Sequence, residues 1–427
     1  MQNQFLQQLP EQQHHYLIAF SGGLDSTALL LLFRQAQAQR NLHLRAIHIH
    51  HNLSPNADFW AQHCAQLCQQ LEIPLIIEQV QVQGDKGLEA NAREARYQAI
   101  ARHIQPNEWL ATAHHQQDQT ETFLLALKRG SGVQGLSAMA SQSQLFGLSI
   151  FRPLLGFSRQ QLQQFVQQQG VQWIEDESNQ DSRYERNFLR NQVLPLLLER
   201  WPHFDHAVQR SAQHCAEQQA LLEELLTPEL EKNFLKKDCS FGLENFASYS
   251  TLKQKALLRL WFAQLDLPMP STAQLEQILT DVIFAQKDRQ PEFQLGEKIL
   301  RRYQNRLFIT PKFTDLSTVQ LTIEFNQILE LPDNLGQLHW QESDKGDILY
   351  WQQSNGQSVS MPIKNRSALE IRFSHQGKIK LAANRPSEQL KKIWQDHQIP
   401  PWQRHRIPLI WQNGQFLGAL GVFEIQQ

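Results

Sequence analysis

The stretch that most limits what this chain can fold into is 16-YLIAFSGGLDSTALLLLF-33. An apolar run of strand length meets Ser21-Gly22-Gly23, and Leu24-Asp25-Ser26-Thr27 then opens a leucine-rich segment with helical spacing. Two consecutive glycines after a buried strand let the backbone fold tightly and turn several N–H groups toward one point. The helix that follows adds the partial positive charge of its N-terminus, and Ser21, Ser26 and Thr27 add hydroxyl donors. Such a turn suits a phosphate or pyrophosphate. It has neither the lysine of GxxxxGK[ST] nor the third glycine of GxGxxG. Asp25 is out of place in an anion-binding turn unless a cation such as Mg2+ is shared with the phosphates. A plain capping turn, with Asp25 or Ser26 as N-cap, competes for Ser-Gly-Gly alone. The whole hexad between strand and helix favours the phosphate.

The neighbouring segments set this turn in a parallel sheet. Residues 16–20, 44–51, 74–82 and 108–115 are short, apolar and partly β-branched, while 27–39, 58–71 and 88–104 have helical periodicity. Repeated β-α units predict an α/β domain, a Rossmann-like parallel sheet with helices on both faces. Ligands of such sheets bind at the carboxyl ends of strands, where SGGLDS, HIHHN (48–52) and AHHQQD (113–118) all fall. Past about residue 200 the pattern changes. Residues 207–226 read as one long helix, further helices run to about 285, and strand-like pieces appear at 299–310 and 318–325. The polar run ESDKGD (342–347) reads as a linker, and the remainder mixes short strands with one helix at 387–399. The expected domains are a nucleotide-binding domain at 1–208, a mainly helical middle domain at 209–345 and a small α+β domain at 348–427.

Composition excludes several classes. No window reaches the ~18 apolar residues of a membrane span, and the first fifteen residues lack a signal-peptide pattern. Four cysteines without a C-x-x-C pair make no disulfide framework, and Cys64 and Cys68, four apart on a helix, read as packing residues. The expectation is a soluble cytoplasmic protein with no membrane partner. Net charge is −2, but its distribution is uneven: residues 361–406 carry 10 Lys+Arg against 3 Asp+Glu, and 211–350 carry 14 against 20. The basic stretch, with Lys391, Lys392 and Arg404, suits an anionic partner, an ordinary solvated face being the alternative.

Other candidates lie at the strand ends. A helix over 89–97 places Arg93, Arg96 and Tyr97 within one turn, as a phosphate fork or as partners of Glu89 and Glu94. His48, His50, His51, His114 and His115 lack the partners of a zinc set, so packing and hydrogen bonding near a ligand are expected of them. Asp118 and Glu121 open a helix, either as capping acids or as ligands of a cation. Arg129 sits in the turn RGSG, which suits a substrate or an RNA backbone. The run 173–190 mixes Glu175, Asp176 and Asp181 with Arg183, Arg186 and Arg190, and adds Trp173 and Tyr184 as stacking planes.

SGGLDS after a strand resembles the pyrophosphate loop of the N-type ATP pyrophosphatases. These enzymes split ATP between the α and β phosphates and adenylate an oxygen of their substrate. Six further stretches are similar, in order and spacing, to the tRNA(Ile)-lysidine synthetase family: HIHHNLS (48–54), EANAREARY (89–97), TAHHQQDQTET (112–122), LKRGSGVQGLSAM (127–139), RPLL (152–155) and WIEDESNQDSRYERNFLRNQVLP (173–195). Residues 390–410 resemble the C-terminal domain of the family's longer members, and the likeness is weakest over 211–350.

The resemblance implies ATP on Ser21, Gly22, Gly23, Leu24, Asp25 and Ser26, with Mg2+ at Asp25. It implies Asp25, Arg96 and Arg186 as catalytic groups (Arg93 in reserve), with Asp118 and Glu121 holding L-lysine. Arg93, Arg129, Arg190, Lys391, Lys392 and Arg404 would face a tRNA(Ile) with a CAU anticodon. The implied reaction adenylates O2 of the wobble cytidine and then replaces AMP with lysine. One position departs: the family usually has paired aspartates where this chain has Gln117-Asp118, which moves the load onto Asp118 and Glu121. A tRNA thiolase on the same loop and a non-catalytic RNA-binding protein are the alternatives. The sequence is compatible with a monomer and with a homodimer.

Overall fold

The computed structural model describes the chain except residues 53, 83, 85, 86, 287, 288, 345, 383–385, 426 and 427, and at 88 and 89 it describes the backbone alone. Two compact units divide it, Met1–Leu225 and Leu226–Gln427. Among the described residues no helix is long and apolar enough to cross a membrane.

The first unit begins α1 (Gln2–Gln8), β1 (His15–Ala19), α2 (Leu24–Gln37), β2 (His43–His50), α3 (Ala57–Gln70), β3 (Leu75–Gln79), α4 (Leu88–His103), β4 (Trp109–Ala111) and α5 (Gln116–Lys128). It continues α6 (Val133–Leu136), β5 (Gln142–Leu145), β6 (Leu148–Phe151), α7 (Arg159–Gln168) and α8 (Glu185–Phe188). A π-helical turn over Leu189–Val193, α9 (Leu194–Arg200) and the long α10 (Phe204–Asn233), whose last eight residues belong to the second unit, follow. One sheet in the order β3-β2-β1-β4-β6-β5 results, parallel except for the β5–β6 hairpin. Because α2 is apolar nearly all round, it is buried nearly all round: ten of its fourteen residues lie inside. It packs with α1, α3 and α7 on one face, through Phe5, Phe33, Leu67 and Phe165. Tyr97 and Ile100 of α4 cover the other face over Leu17, Ile47 and Leu110. This is the two-sided α/β sheet that the sequence predicts.

In the second unit β7 (Phe234–Leu235), β8 (Ser240–Gly242), α11 (Thr251–Gln264), α12 (Thr272–Gln277), β9 (Glu292–Leu295), β10 (Lys298–Tyr303) and β11 (Arg306–Pro311) come first. The helices lie against an antiparallel sheet, sharing Trp261, Phe262, Leu275, Leu300 and Leu307 with it. Next come β12 (Gln320–Ile323), β13 (Ile328–Glu330), β14 (Gln337–Ser343), β15 (Gly346–Gln352), β16 (Ser358–Ile363) and β17 (Leu369–Arg372). The chain ends β18 (Lys378–Ile379), β19 (Glu388–Gln389), α13 (Leu390–Asp396), α14 (Pro401–Arg404), β20 (Leu409–Gln412), β21 (Gln415–Ala419) and β22 (Phe423–Glu424).

The expected linker at 342–347 is the tip of the β14–β15 hairpin, where Ser343 pairs with Gly346. Its polarity is that of a solvent-facing turn; behind it Trp340 and Leu349, directly opposite each other, are fully buried. Since β12 pairs with β17, the last antiparallel region starts well before residue 348. The helix expected over 387–399 is confined to Leu390–Asp396, with β19 taking its start and Gln398 turning the chain at φ 57.

Candidate active site

Between the end of β1 and the start of α2, four residues cross the carboxyl edge of the sheet. Gly22 has φ +84, and a Cβ there would stand 2.5 Å from Ile174 Cδ1 and 3.0 Å from Cys64 Sγ. Conformation and space both require glycine. Gly22 O accepts a bond from Ile174 N at 2.9 Å, which stitches the start of the 173–190 segment to the loop. On the approach strand, His48 Nδ1 lies 3.0 Å from Phe20 O. Gly23 is the N-cap of α2 and no side chain caps it, so the first-turn N–H groups have no side-chain acceptor and present an anion site. The hydroxyls of Ser26 and Thr27 donate to Gly23 O (3.0 Å) and Gly22 O (3.3 Å). They brace the turn; of the three hydroxyls expected to face a ligand, only that of Ser21 is on an exposed residue.

The next strand end starts α5. His115 is its N-cap: Nδ1 accepts from Gln117 N at 3.2 Å, and His115 N donates to Asp118 Oδ2 at 2.9 Å. A ring nitrogen that accepts carries no proton, so the neutral ring bears its proton on Nε2. That atom is 3.6 Å from Asp25 Oδ2 and 3.5 Å from Asp118 Oδ2, too far for good hydrogen bonds but close enough for strong attraction. Burial pushes the His115 pKa down, Asp118 and Asp25 push it up, and the carboxylates win. Charging the ring would place a proton on Nδ1 and end the bond from Gln117, so the acids and the helix cap pull against each other. Asp118, despite its burial, is held below the usual carboxylate range, mainly by His115.

Glu121 is fully buried. Burial pushes its pKa up, and Arg190 only partly pulls it back. Arg190 Nε donates to Glu121 Oε1 at 2.7 Å, while Nη2 donates to Glu121 Oε2 and Asp118 Oδ1, both at 3.0 Å. Arg186 Nη1 is 3.8 Å from Glu121 Oε2, and its Nη2 donates to Thr122 Oγ1 at 3.2 Å. A series of neighbouring polar groups therefore runs from Asp25 past His115 to Asp118, Arg190, Glu121 and Arg186, the steps from His115 Nε2 being electrostatic rather than hydrogen-bonded.

Asp25 Oδ1 is buried and has no hydrogen-bond partner. Among the described residues no group of three or more His, Cys, Asp or Glu is placed to hold a metal ion. One orphaned carboxylate oxygen beside an uncapped helix start fits Mg2+ shared with phosphates, which needs only one or two protein carboxylates.

The other candidates scatter. Arg93 and Arg96 are exposed on α4; Arg93 lies 5.3 Å from the Tyr97 ring. The His51 pKa is pushed down to about 4, first by burial and then by Arg96. Of the expected cationic catalysts, Arg186 is brought to the acid pair, with Nη1 3.8 Å from Glu121 Oε2. Arg190, expected on RNA, is spent on Asp118 and Glu121. Arg129 is exposed past the far end of α5, about 20 Å from its start by helical rise. In the second unit Lys391 is exposed, Lys392 pairs with Glu388, and Arg404 Nε donates to Ile399 O at 3.1 Å. Asp176 caps a 3-10 turn and Asp181 pairs with Arg183, the bland roles for such a run.

The capping role of His115 and any role for Arg152 were not read from the sequence. The role of His115 is signalled by its place at a strand end with an acid three residues on, the spacing of a capping box. Arg152 is buried just beyond β6, where Nη1 donates to Ala140 O and Ser143 Oγ, both at 2.9 Å. It has no acidic partner among the described residues, and its charge helps hold down the neighbouring His114.

A parallel sheet whose first strand ends in this glycine turn, ahead of an uncapped helix, defines a PP-loop nucleotide-binding protein, and the PP-loop domain family matches residues 1–197. The TilS substrate binding domain matches residues 242–308, and the TilS substrate C-terminal domain matches 369–427. A tRNA(Ile)-lysidine synthase of Histophilus somni (strain 129Pt) is 54% identical over 98% of this chain and 99% of its own. One of Actinobacillus succinogenes is 51% identical over 97% of both chains. The chain belongs to the tRNA(Ile)-lysidine synthase family. A solved U34-tRNA thiolase from Methanococcus maripaludis, at 14% identity and a TM-score of 0.41, spans 51% of this chain and 77% of its own, a likeness too slight to bear on substrate.

Proposed function

We propose that the chain is an ATP-dependent ligase that joins L-lysine to C2 of the wobble cytidine of a CAU-anticodon tRNA(Ile), forming lysidine in the cytoplasm. Cytidine O2 attacks the α-phosphorus of ATP and pyrophosphate leaves. The ε-amine of lysine, once it has lost a proton, attacks C2, and AMP departs with that oxygen.

The amides at the start of α2 meet the phosphates, a preorganised donor set that costs no reorganisation during reaction. Asp25 would hold Mg2+, which when bound offsets phosphate charge. Arg186 beside the acid pair and Arg96 at the rim counter the charge of the transferring group. Asp118 and Glu121 take the lysine ammonium, with Arg190 balancing their charge. The observation that supports this reading is that the glycine turn, with Asp25, and the buried acids Asp118 and Glu121 lie together at one sheet edge on either side of His115. The cysteines give a thiolase no support: Cys64 and Cys68 are buried and their thiols pushed up by burial, Cys68 to about 12.

The test follows pyrophosphate release and labelled lysine on tRNA(Ile), with each substrate alone and with both. Incorporation that needs ATP and is abolished in Asp25→Ala is the expected result. Pyrophosphate release with tRNA but no lysine transfer would redirect the reading to another nucleophile.

A further inference from the structure

The first turn of α5 is polar yet wholly inside the protein: Gln116, Asp118, Gln119, Thr120 and Glu121 are all buried. At 3.6 residues per turn, Gln116 and Thr120 share one face of the helix, and Asp118 and Glu121 share another about 150° round from it. The acid pair therefore faces one way, and other groups grip the reverse side. Thr120 Oγ1 donates to Asp205 Oδ1 at 2.6 Å, with both residues buried. Gln116 Nε2 donates to Gln209 Oε1 at 3.0 Å and lies 3.0 Å from His206 Nδ1. Asp205, His206 and Gln209 all belong to the start of α10, inside the first unit. On a third side, Gln119 Nε2 donates to Met139 O at 2.7 Å, and its Oε1 accepts from Met139 N at 2.8 Å.

A helix that had only to pack would bury apolar side chains here, as α2 does. Apolar packing tolerates small shifts of a helix, whereas a satisfied buried polar network specifies one arrangement. Rotation is what the acid pair needs fixed. Carboxyl groups stand about 6 Å from a helix axis, so a turn of about 10° moves them by about 1 Å. A misplacement of that size costs a positioned group on the order of 100-fold. Asp205 is the acid of the reverse-face network, and a hydrogen bond to an ionised acceptor is roughly twice as strong as a neutral one. Its place in the first turn of α10 favours the carboxylate, so the grip on α5 needs no added cation.

We infer that Asp205 is a positioning residue for the amine subsite. Acting through Thr120, it sets the rotation of α5 that turns Asp118 and Glu121 toward the lysine ammonium. His206 and Gln209, on Gln116, support the same setting. Asp205 is buried behind the helix, so its effect reaches the amine only through α5. The inference rests on Asp118 and Glu121 taking that ammonium.

The experiment compares Asp205→Ala, Asp205→Asn, Thr120→Val and Thr120→Ser with wild type in the full chain. It measures kcat, and KM for lysine and for ATP, in lysine transfer to the tRNA(Ile) transcript, with circular dichroism as the check on folding. Asp205→Ala and Thr120→Val should each raise the lysine KM about 10- to 100-fold and leave the ATP KM near that of wild type. The two combined should be no worse than the worse of them, since both remove the same bond. Asp205→Asn keeps an acceptor and Thr120→Ser a donor, so both should stay near wild type. The inference is overturned by an unchanged lysine KM in Asp205→Ala and Thr120→Val, or by an ATP KM that rises in step with it. An Asp205→Asn as impaired as Asp205→Ala overturns it too. Should Asp205→Ala fail to fold, Thr120→Val decides, because it removes the hydroxyl with little change of shape. Asp118→Asn is the control on the underlying reading. If it leaves the lysine KM unmoved, or wild type transfers no lysine, the amine-site reading falls and takes this inference with it. If it raises the lysine KM while Asp205→Ala and Thr120→Val do not, this inference alone falls.

Discussion

Replacing Arg190 with Met should destabilise the α5 region by about 2–3 kcal/mol at pH 7.5, and by clearly less at pH 5.5. Arg190 makes three hydrogen bonds to Glu121 and Asp118, and Glu121 is fully buried. Removing one partner of a buried ion pair typically costs ~3–5 kcal/mol, because the remaining charge is stranded. Two features reduce that here: the Arg190 side chain is 27% exposed, and Arg186 remains 3.8 Å from Glu121.

The pH dependence follows from what Glu121 does next. Without Arg190, burial raises its pKa further, so in the folded state it binds a proton that the unfolded chain releases. A folded state that binds more protons gains stability as pH falls. Taking up that proton costs about 1.4 kcal/mol for each pH unit above an unfolded pKa of ~4.3. The ceiling on the deficit is therefore roughly 4 kcal/mol at pH 7.5 and roughly 1.6 kcal/mol at pH 5.5. Native-state hydrogen exchange of peptides covering Gln116–Lys128 reads the local opening energy without assuming that both units unfold together. Adding Glu121→Gln to Arg190→Met should recover about 2 kcal/mol of the loss, as expected for directly coupled residues. A deficit under about 0.5 kcal/mol at pH 7.5, or one equal at the two pH values, would refute the buried-pair account.

Three further outcomes are expected. Gly22→Ala, which needs φ +84 and drives a Cβ to 2.5 Å from Ile174, should cost about 2 kcal/mol or more and abolish ATP binding, measured by urea unfolding and calorimetric titration. The His114 ring is pushed down to about 4, first by burial, so its native site resists protonation. The stability this confers is full above pH 6.5 and is lost as pH falls toward 4, on the order of 2 kcal/mol for a half-buried ring; His114→Asn should flatten that part of a stability–pH curve. Lys391→Gln combined with Arg404→Gln should lower the slope of log binding constant against log salt for tRNA by about 1–2, since each phosphate contact contributes ~0.7–0.9.

The glycine turn and α2 were legible because their signals are local: a strand-length apolar run, two glycines and a leucine-rich helix are contiguous in sequence. The acid cluster was legible only in part. Asp118 and Glu121 stand out as first-turn acids, yet nothing in the order of residues 175–190 tells which arginine turns inward. Arg190 and Arg183 look alike in sequence, but one binds two buried acids while the other stays exposed and pairs with a half-buried aspartate two residues away. The hairpin at 342–347 was missed because its turn polarity outweighed the alternation of Leu338 and Trp340 with Leu349 and Trp351 on its flanks.

Gln117 is intelligible in the same terms. What α5 needs from position 117 is a backbone N–H for His115 Nδ1, and any residue other than proline supplies it. A carboxylate there would add negative charge next to Asp118 in a region that already holds Asp25, Asp118 and Glu121 against Arg186 and Arg190. A fourth acid beside Asp118 would draw His115 toward full charge, and the proton on Nδ1 would then break the bond that caps the helix. With a neutral side chain at 117, His115 can bear its proton toward Asp25 and Asp118 and still hold the first turn of α5. That one ring thereby caps α5 and faces both the glycine turn's Asp25 and the acid Asp118.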